Sequence, residues 1–122
     1  TTLFQKHLSS MLLDSDKNRL QHILDSAREA VDFSKNTDFD TAQQNRQLQH
    51  ALVRCMEIIG EAASRVSPDA RQKLSTIPWQ DMISMRNRMV HAYYDVDFSI
   101  VWRTVKEELP ALIATIGPLI DE

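Results

Sequence analysis

Glycine and proline are scarce in this sequence, two and four among 122 residues. An all-β fold with many tight turns wants more of both, so the shortage points to helices. Cysteine occurs once, as Cys55, which excludes an internal disulfide framework and fits a reducing compartment. No apolar run approaches the roughly 20 residues that span a bilayer. The opening residues, Thr1-Thr2-Leu3-Phe4-Gln5-Lys6-His7, lack the charged-then-apolar layout of a signal peptide. A cytoplasmic protein is expected. A broad basic footprint is missing too, because the formal net charge is −3, and this argues mildly against a nucleic-acid ligand. The distribution softens that objection: between His50 and Lys106 there are 8 Lys/Arg against 6 Asp/Glu, and elsewhere 6 against 11. What remains is ordinary, 43% hydrophobic and 25% charged, as in a soluble domain with one core.

The apolar periodicity is helical nearly throughout. After Asp14, read as an N-cap, Leu20, Ile23, Leu24, Ala27 and Val31 mark one face of a first long helix. Residues 36–40 read as its end and a short connection, with Asn36 suited to a left-handed position after the helix. A second helix is expected from about Thr41 to Val66, with Leu48, Leu52, Cys55, Met56, Ile59, Ala63 and Val66 inward. Ser67-Pro68 has the form of an N-cap followed by proline at N1 and opens a short turn through Leu74. Ile77-Pro78-Trp79 repeats that logic and starts a third helix through Tyr93. Asp97 is read as the cap of a fourth, lined by Val101, Trp102, Val105, Leu109, Leu112, Ile113 and Ile116 and kinked by Pro110. Short connections between long amphipathic helices imply antiparallel neighbours. The expectation is all-α, an antiparallel up-down four-helix bundle with an extra helical turn between helices 2 and 3. Residues 11–122 form the single domain, and residues 1–10 are an N-terminal extension whose Phe4 and Leu8 have helical spacing with Met11 just beyond it.

The residues that can carry chemistry cluster in the third helix, in the run Arg86-Asn87-Arg88-Met89-Val90-His91-Ala92-Tyr93. Asn87 and His91 are four apart and so neighbours on one face, where the amide can orient the imidazole. Arg86 and Tyr93, seven apart, lie nearly above each other on an adjacent face. Arg86 and His91 are separated by about 140° around an ideal helix, so both border one site only if the groove is wide or a second subunit completes it. Histidine titrates near neutrality and can take a proton from a ribose 2′-OH or give one to the leaving 5′-oxygen. Arginine can bind the phosphate through two hydrogen bonds and stabilise charge building on its oxygens. Each residue also has a plainer reading. Arg86 can pair with Asp81 or Glu61, His91 with Asp95, and Tyr93 can be core; Gly60 marks a close helix crossing. His7, His22 and His50 are not expected to bind metal, and Cys55 is a small core residue.

Taken together, Arg86, Asn87, His91 and Tyr93 resemble the motif of the HepT family of HEPN-domain proteins, toxins of HepT–MntA toxin–antitoxin pairs. The flanks resemble it as well: residues 57–63, Ile77-Pro78-Trp79, Val101-Trp102 and Glu108-Leu109-Pro110. Ala92 stands where many relatives have glycine, which costs no functional group. The resemblance implies a type VII-like toxin, a homodimer whose paired Arg86 and His91 form a metal-independent endoribonuclease site needing no cofactor. Its substrate would be RNA, cut by 2′-OH attack to a 2′,3′-cyclic phosphate. Its partner would be an MntA-type nucleotidyltransferase antitoxin that places AMP on Tyr93, with no membrane association. Two alternatives stay open: a non-catalytic helical subunit that holds a nucleotide or substrate for a nucleotidyltransferase, and a purely structural dimerising bundle.

Overall fold

Local capping chemistry sets most helix starts in the computed structural model, which describes residues 2–95 and 97–120, with side chains for 2–89 and 97–120. Thr2 accepts from Gln5 N–H while the Gln5 side chain accepts from Thr2 N–H, a reciprocal cap that opens α1 (Leu3–Ser10). The extension is therefore a helix. It packs against the last helix of the chain, with Leu8 half-buried, while Leu3 and Phe4 stay exposed. Helix α2 (Asp14–Ser34) follows, but Asp14 is not its cap. Leu13 holds the cap position without a side-chain hydrogen bond, and Asp14 with Asp16 supplies negative charge to the first turn, where the helix dipole favours it.

The connection after α2 is more structured than the sequence reading allows. Asp38 accepts from Thr41 N–H at 2.8 Å and starts a five-residue helix, α3 (Phe39–Gln43). The second long helix begins not at Thr41 but at α4 (Arg46–Ser64), because Asn45 leaves helical geometry and accepts from Leu48 N–H. Gln49 secures the break by donating to the carbonyls of Ala42 and Gln43. Ser67 caps α5 (Pro68–Lys73) with proline in its first turn, as its sequence suggests. The buried carboxylate of Asp16 accepts from both Ser67 N–H and its hydroxyl, at 2.9 and 2.7 Å, tying the start of α2 to this corner.

Helix α6 (Trp79–Asp95) carries the motif. The buried Trp79 indole donates to Leu74 O, which fixes where α6 starts. The last long segment is α7 (Phe98–Arg103), one turn of π-helix over Thr104–Glu108, and α8 (Leu109–Ile120). Asp97 occupies the cap position of α7 but makes no side-chain cap; its carboxylate accepts from the Ser99 hydroxyl. Pro110 has no N–H for the fourth carbonyl back. The chain meets this with the π turn, in which Leu109 N–H reaches Thr104 O. Inside that turn Lys106 donates to Ser34 O, at the last turn of α2, and lies over the Trp102 ring.

The long helices close a bundle: α2 packs on α4 and α8, α4 on α6, and α6 on α7. Among the described residues there is no strand. The centre is filled by Leu20, Ile23 and Leu24 of α2, Leu52, Met56 and Ile59 of α4, and Leu109 and Ile116 of α8, all essentially inaccessible. From α6 the core receives Met82, Met85 and Met89, a buried methionine stripe at helical spacing whose unbranched chains fit irregular gaps. This stripe sets the rotation of α6 and turns Arg86 and Asn87 outward.

Candidate functional site

Arg86 sits where α6 crosses α4, and the glycine at that crossing makes its seat. A Cβ at Gly60 would lie 2.8 Å from Arg86 Cγ, 3.1 Å from Met82 O and 3.4 Å from Arg86 Cδ. The bare α4 backbone thus lets the aliphatic stem of Arg86 pass across it. Gly60 is needed for space and marks the close crossing its sequence suggested.

The next residue takes the charged end. Arg86 Nη1 lies 2.7 Å from Glu61 Oε2, so the ion pair considered from sequence exists. The other oxygen of the same carboxylate receives Arg65, with Nη2 at 2.8 Å and Nε at 2.9 Å. One carboxylate therefore bridges two guanidiniums, from α6 and α4. The side chains of Arg86 and Glu61 remain 54% and 42% exposed, so the pair contributes about 0.2–1 kcal/mol and leaves Arg86 open to a competing anion. Asp81 is not an ion-pair partner of Arg86; its backbone carbonyl instead accepts from Arg88, whose other branch lies 3.4 Å from Glu108.

Asn87 is exposed on the outer side of α6. His91 and Tyr93 belong to the same helix, but their side chains lie outside the described residues. The proposed orientation of His91 by Asn87, the pairing of His91 with Asp95 and the placing of Tyr93 beside Arg86 lie outside them too.

Beside this seat is a feature that the sequence reading passed over. A groove of about 250 Å³ between α2 and α4 is lined by Arg19 and His22 from α2 and by Arg54, Glu61 and Arg65 from α4. Ile58 and Ala62 are the apolar part of its lining. Arg19 and His22 are three apart, and Arg54, Glu61 and Arg65 follow at seven and four, so each set has the spacing of one helix face. His22, set aside for want of metal partners, belongs here. Among the described residues no three His, Cys, Asp or Glu side chains gather as metal ligands would. No helix among them is long and apolar enough to cross a membrane.

Cys55 is buried in the core, away from this chemistry. Burial, followed by the negative charge of Glu29, pushes its thiol up to about 11, so at neutral pH it is a protonated packing group.

Comparison with known proteins bears on the same region. The sequence model of a family described as "Ribonuclease HepT-like" matches residues 23–119, a span holding all of α4, α6 and the four motif residues. A candidate RNase of Methanocaldococcus jannaschii is 36% identical over 76% of this chain and 85% of its own length. A protein of Thermococcus cleftensis named as a probable ribonuclease HepT is 35% identical over 80% of this chain and 89% of its own. A candidate RNase of Caldanaerobacter subterraneus is 34% identical, covering 76% and 83% respectively. No solved structure matches the chain.

Proposed function

This chain belongs to the HepT-like ribonuclease family, and on that premise we propose that it is an endoribonuclease that cleaves RNA without a metal ion. The observation that carries the reading is the seat of Arg86: stem across Gly60, head on Glu61, guanidinium half-exposed and ready to exchange a carboxylate for a phosphate. Position 91, five residues on, supplies the imidazole that moves protons. The ribose 2′-OH attacks the adjacent phosphorus, the 5′-oxygen leaves, and a 2′,3′-cyclic phosphate remains. Arg86 stabilises charge on the non-bridging oxygens. His91 serves as base or acid, and Asn87 orients it.

One imidazole does not easily perform both proton transfers in a single step. Two copies facing each other divide the roles, so the working unit is a homodimer with the α6 helices across its axis. In this reading residues 11–122 are the HEPN/HepT-like domain, residues 1–10 an extension, and the site of action the cytoplasm. The protein is the toxin of a type VII-like pair. Its antitoxin is an MntA-type nucleotidyltransferase that transfers AMP from ATP to the Tyr93 phenol and releases pyrophosphate. The added bulk and negative charge oppose RNA binding at Arg86.

The test is cleavage of RNA by purified protein in EDTA. His91→Ala should abolish it without loss of helicity, and Arg86→Ala should slow it on the order of 10²–10³-fold, the cost of removing one charge-stabilising donor. Expression should arrest growth, and co-expression of the nucleotidyltransferase should relieve the arrest. A magnesium requirement, or activity surviving His91→Ala, defeats the mechanism. Absence of both cleavage and toxicity favours the non-catalytic binding subunit.

A further inference from the structure

Arg71 donates to the carbonyls of Ala63, Ser64 and Val66, Arg88 to Asp81 O, and Arg65 and Arg86 to Glu61. Arg19, His22 and Arg54 differ from these: among the described residues none of the three has a hydrogen-bond or ion-pair partner. Yet they converge on one groove with Arg65, in a protein whose net charge is −3. Gathering like charges in a concavity raises the local potential, and a bound anion relieves it. Glu61 does not supply that anion for the far side of the groove, because both its oxygens are already engaged by Arg65 and Arg86.

We propose that the groove between α2 and α4 is a binding track for the sugar-phosphate backbone of single-stranded RNA, with Arg19, Arg54 and Arg65 holding phosphates that flank the bond cut beside Arg86. The proposal rests on the ribonuclease reading and extends it to where the rest of the substrate lies. Continuity carries it. Arg65 and Glu61 line the groove, and the Glu61 carboxylate that holds Arg65 also holds Arg86, so the groove lies one carboxylate from the reactive arginine. The composition of the lining selects the ligand class. The centre of a protein–protein interface is depleted in charge, whereas here Ile58 and Ala62 stand among four charged side chains and polar and apolar surface share the lining about equally. A positively charged groove that follows the backbone binds single strands without sequence preference; here guanidiniums supply the charge, and Ile58 and Ala62 supply an apolar surface for a ribose. Glu61 keeps the guanidiniums of Arg65 and Arg86 from repelling each other when no RNA is present.

The experiment measures binding, not cleavage. A fluorescent single-stranded RNA 20-mer carrying 2′-O-methyl groups, which cannot be cut by 2′-OH attack, is titrated with protein in EDTA from 0.05 to 1 M salt. The double variant Arg19→Ala/Arg54→Ala removes two phosphate contacts, each carrying about 0.7 of the slope of log Kd against log salt. The slope should therefore fall by about 1.4, with Kd weakened about 25-fold at 0.1 M salt and converging on wild type near 1 M. Arg46→Ala/Arg103→Ala changes the net charge equally outside the groove and should leave the slope unchanged. If the groove variant behaves like this control, the track is wrong. If it binds RNA normally but no longer binds the nucleotidyltransferase, the groove docks protein and the proposal is equally overturned. Wild-type protein that cuts RNA while the two double variants bind alike defeats only the track. Wild type that binds with the expected slope change but never cuts defeats only the ribonuclease reading.

Discussion

Replacing Gly60 by alanine perturbs the crossing on which the Arg86 seat depends, and two opposing magnitudes set the result. Alanine in a helix interior gains about 1 kcal/mol over glycine. Against this, the added methyl would stand 2.8 Å from Arg86 Cγ and 3.1 Å from Met82 O. The first contact can be relieved by moving the arginine stem. The second involves backbone, so α4 and α6 must also separate by a few tenths of an ångström. Overpacking of this kind costs about 1–3 kcal/mol. The net expectation is destabilisation of about 1 kcal/mol, read as a lower urea midpoint at unchanged slope. Activity should suffer more than stability, because the guanidinium moves with its stem. A misplacement approaching 1 Å costs on the order of 10²-fold in rate, so cleavage by Gly60→Ala should fall roughly 10–100-fold while the fold persists. A variant about 1 kcal/mol more stable than wild type, with full activity, would refute the steric argument.

Two further perturbations probe the bundle. The Cys55 thiol is held up at about 11 by burial, while in the unfolded chain it ionises near its ordinary value of 9. As pH rises, the unfolded state loses its proton first, so the stabilising contribution is complete below about 9 and disappears between 9 and 11. Between pH 8 and 10 wild type should lose about 1 kcal/mol that Cys55→Ala does not, measured by urea unfolding at both values; equal pH slopes would contradict this. Asp16→Ala should cost about 2–3 kcal/mol, because two short hydrogen bonds to Ser67 are lost at a buried site. Asp16→Asn, which keeps an acceptor for Ser67 N–H, should recover part of that in the same measurement.

The parts of the fold legible in the sequence are those written locally. Ser67-Pro68 and Ile77-Pro78-Trp79 announce helix starts through groups within a few residues, and the structure places α5 and α6 there. The break at Asn45 was hidden because the apolar period runs through it. Only the choice of Asn45 to cap Leu48, supported by Gln49, separates α3 from α4. The docking of α1 was illegible for a different reason: it packs on α8, about 100 residues along the chain. The site divides in the same way. Gly60 and Glu61 could be named as a crossing and a partner from sequence. That the Arg86 stem lies across the one and its head on the other follows from helix packing. The groove is the extreme case, since Arg19 with His22 and Arg54 with Arg65 have meaning only once α2 lies beside α4.

The central claim is that Arg86 and His91 direct a ribose 2′-OH onto its neighbouring phosphorus, and the chemistry of the product ends reads this directly. An end-labelled RNA is incubated with the protein in EDTA, beside the same RNA with a single 2′-deoxy nucleotide at the cut position. The account predicts a 2′,3′-cyclic phosphate on one fragment, a 5′-hydroxyl on the other, and no cleavage at the 2′-deoxy position. A 3′-hydroxyl with a 5′-phosphate, or undiminished cutting beside the 2′-deoxy sugar, would contradict it.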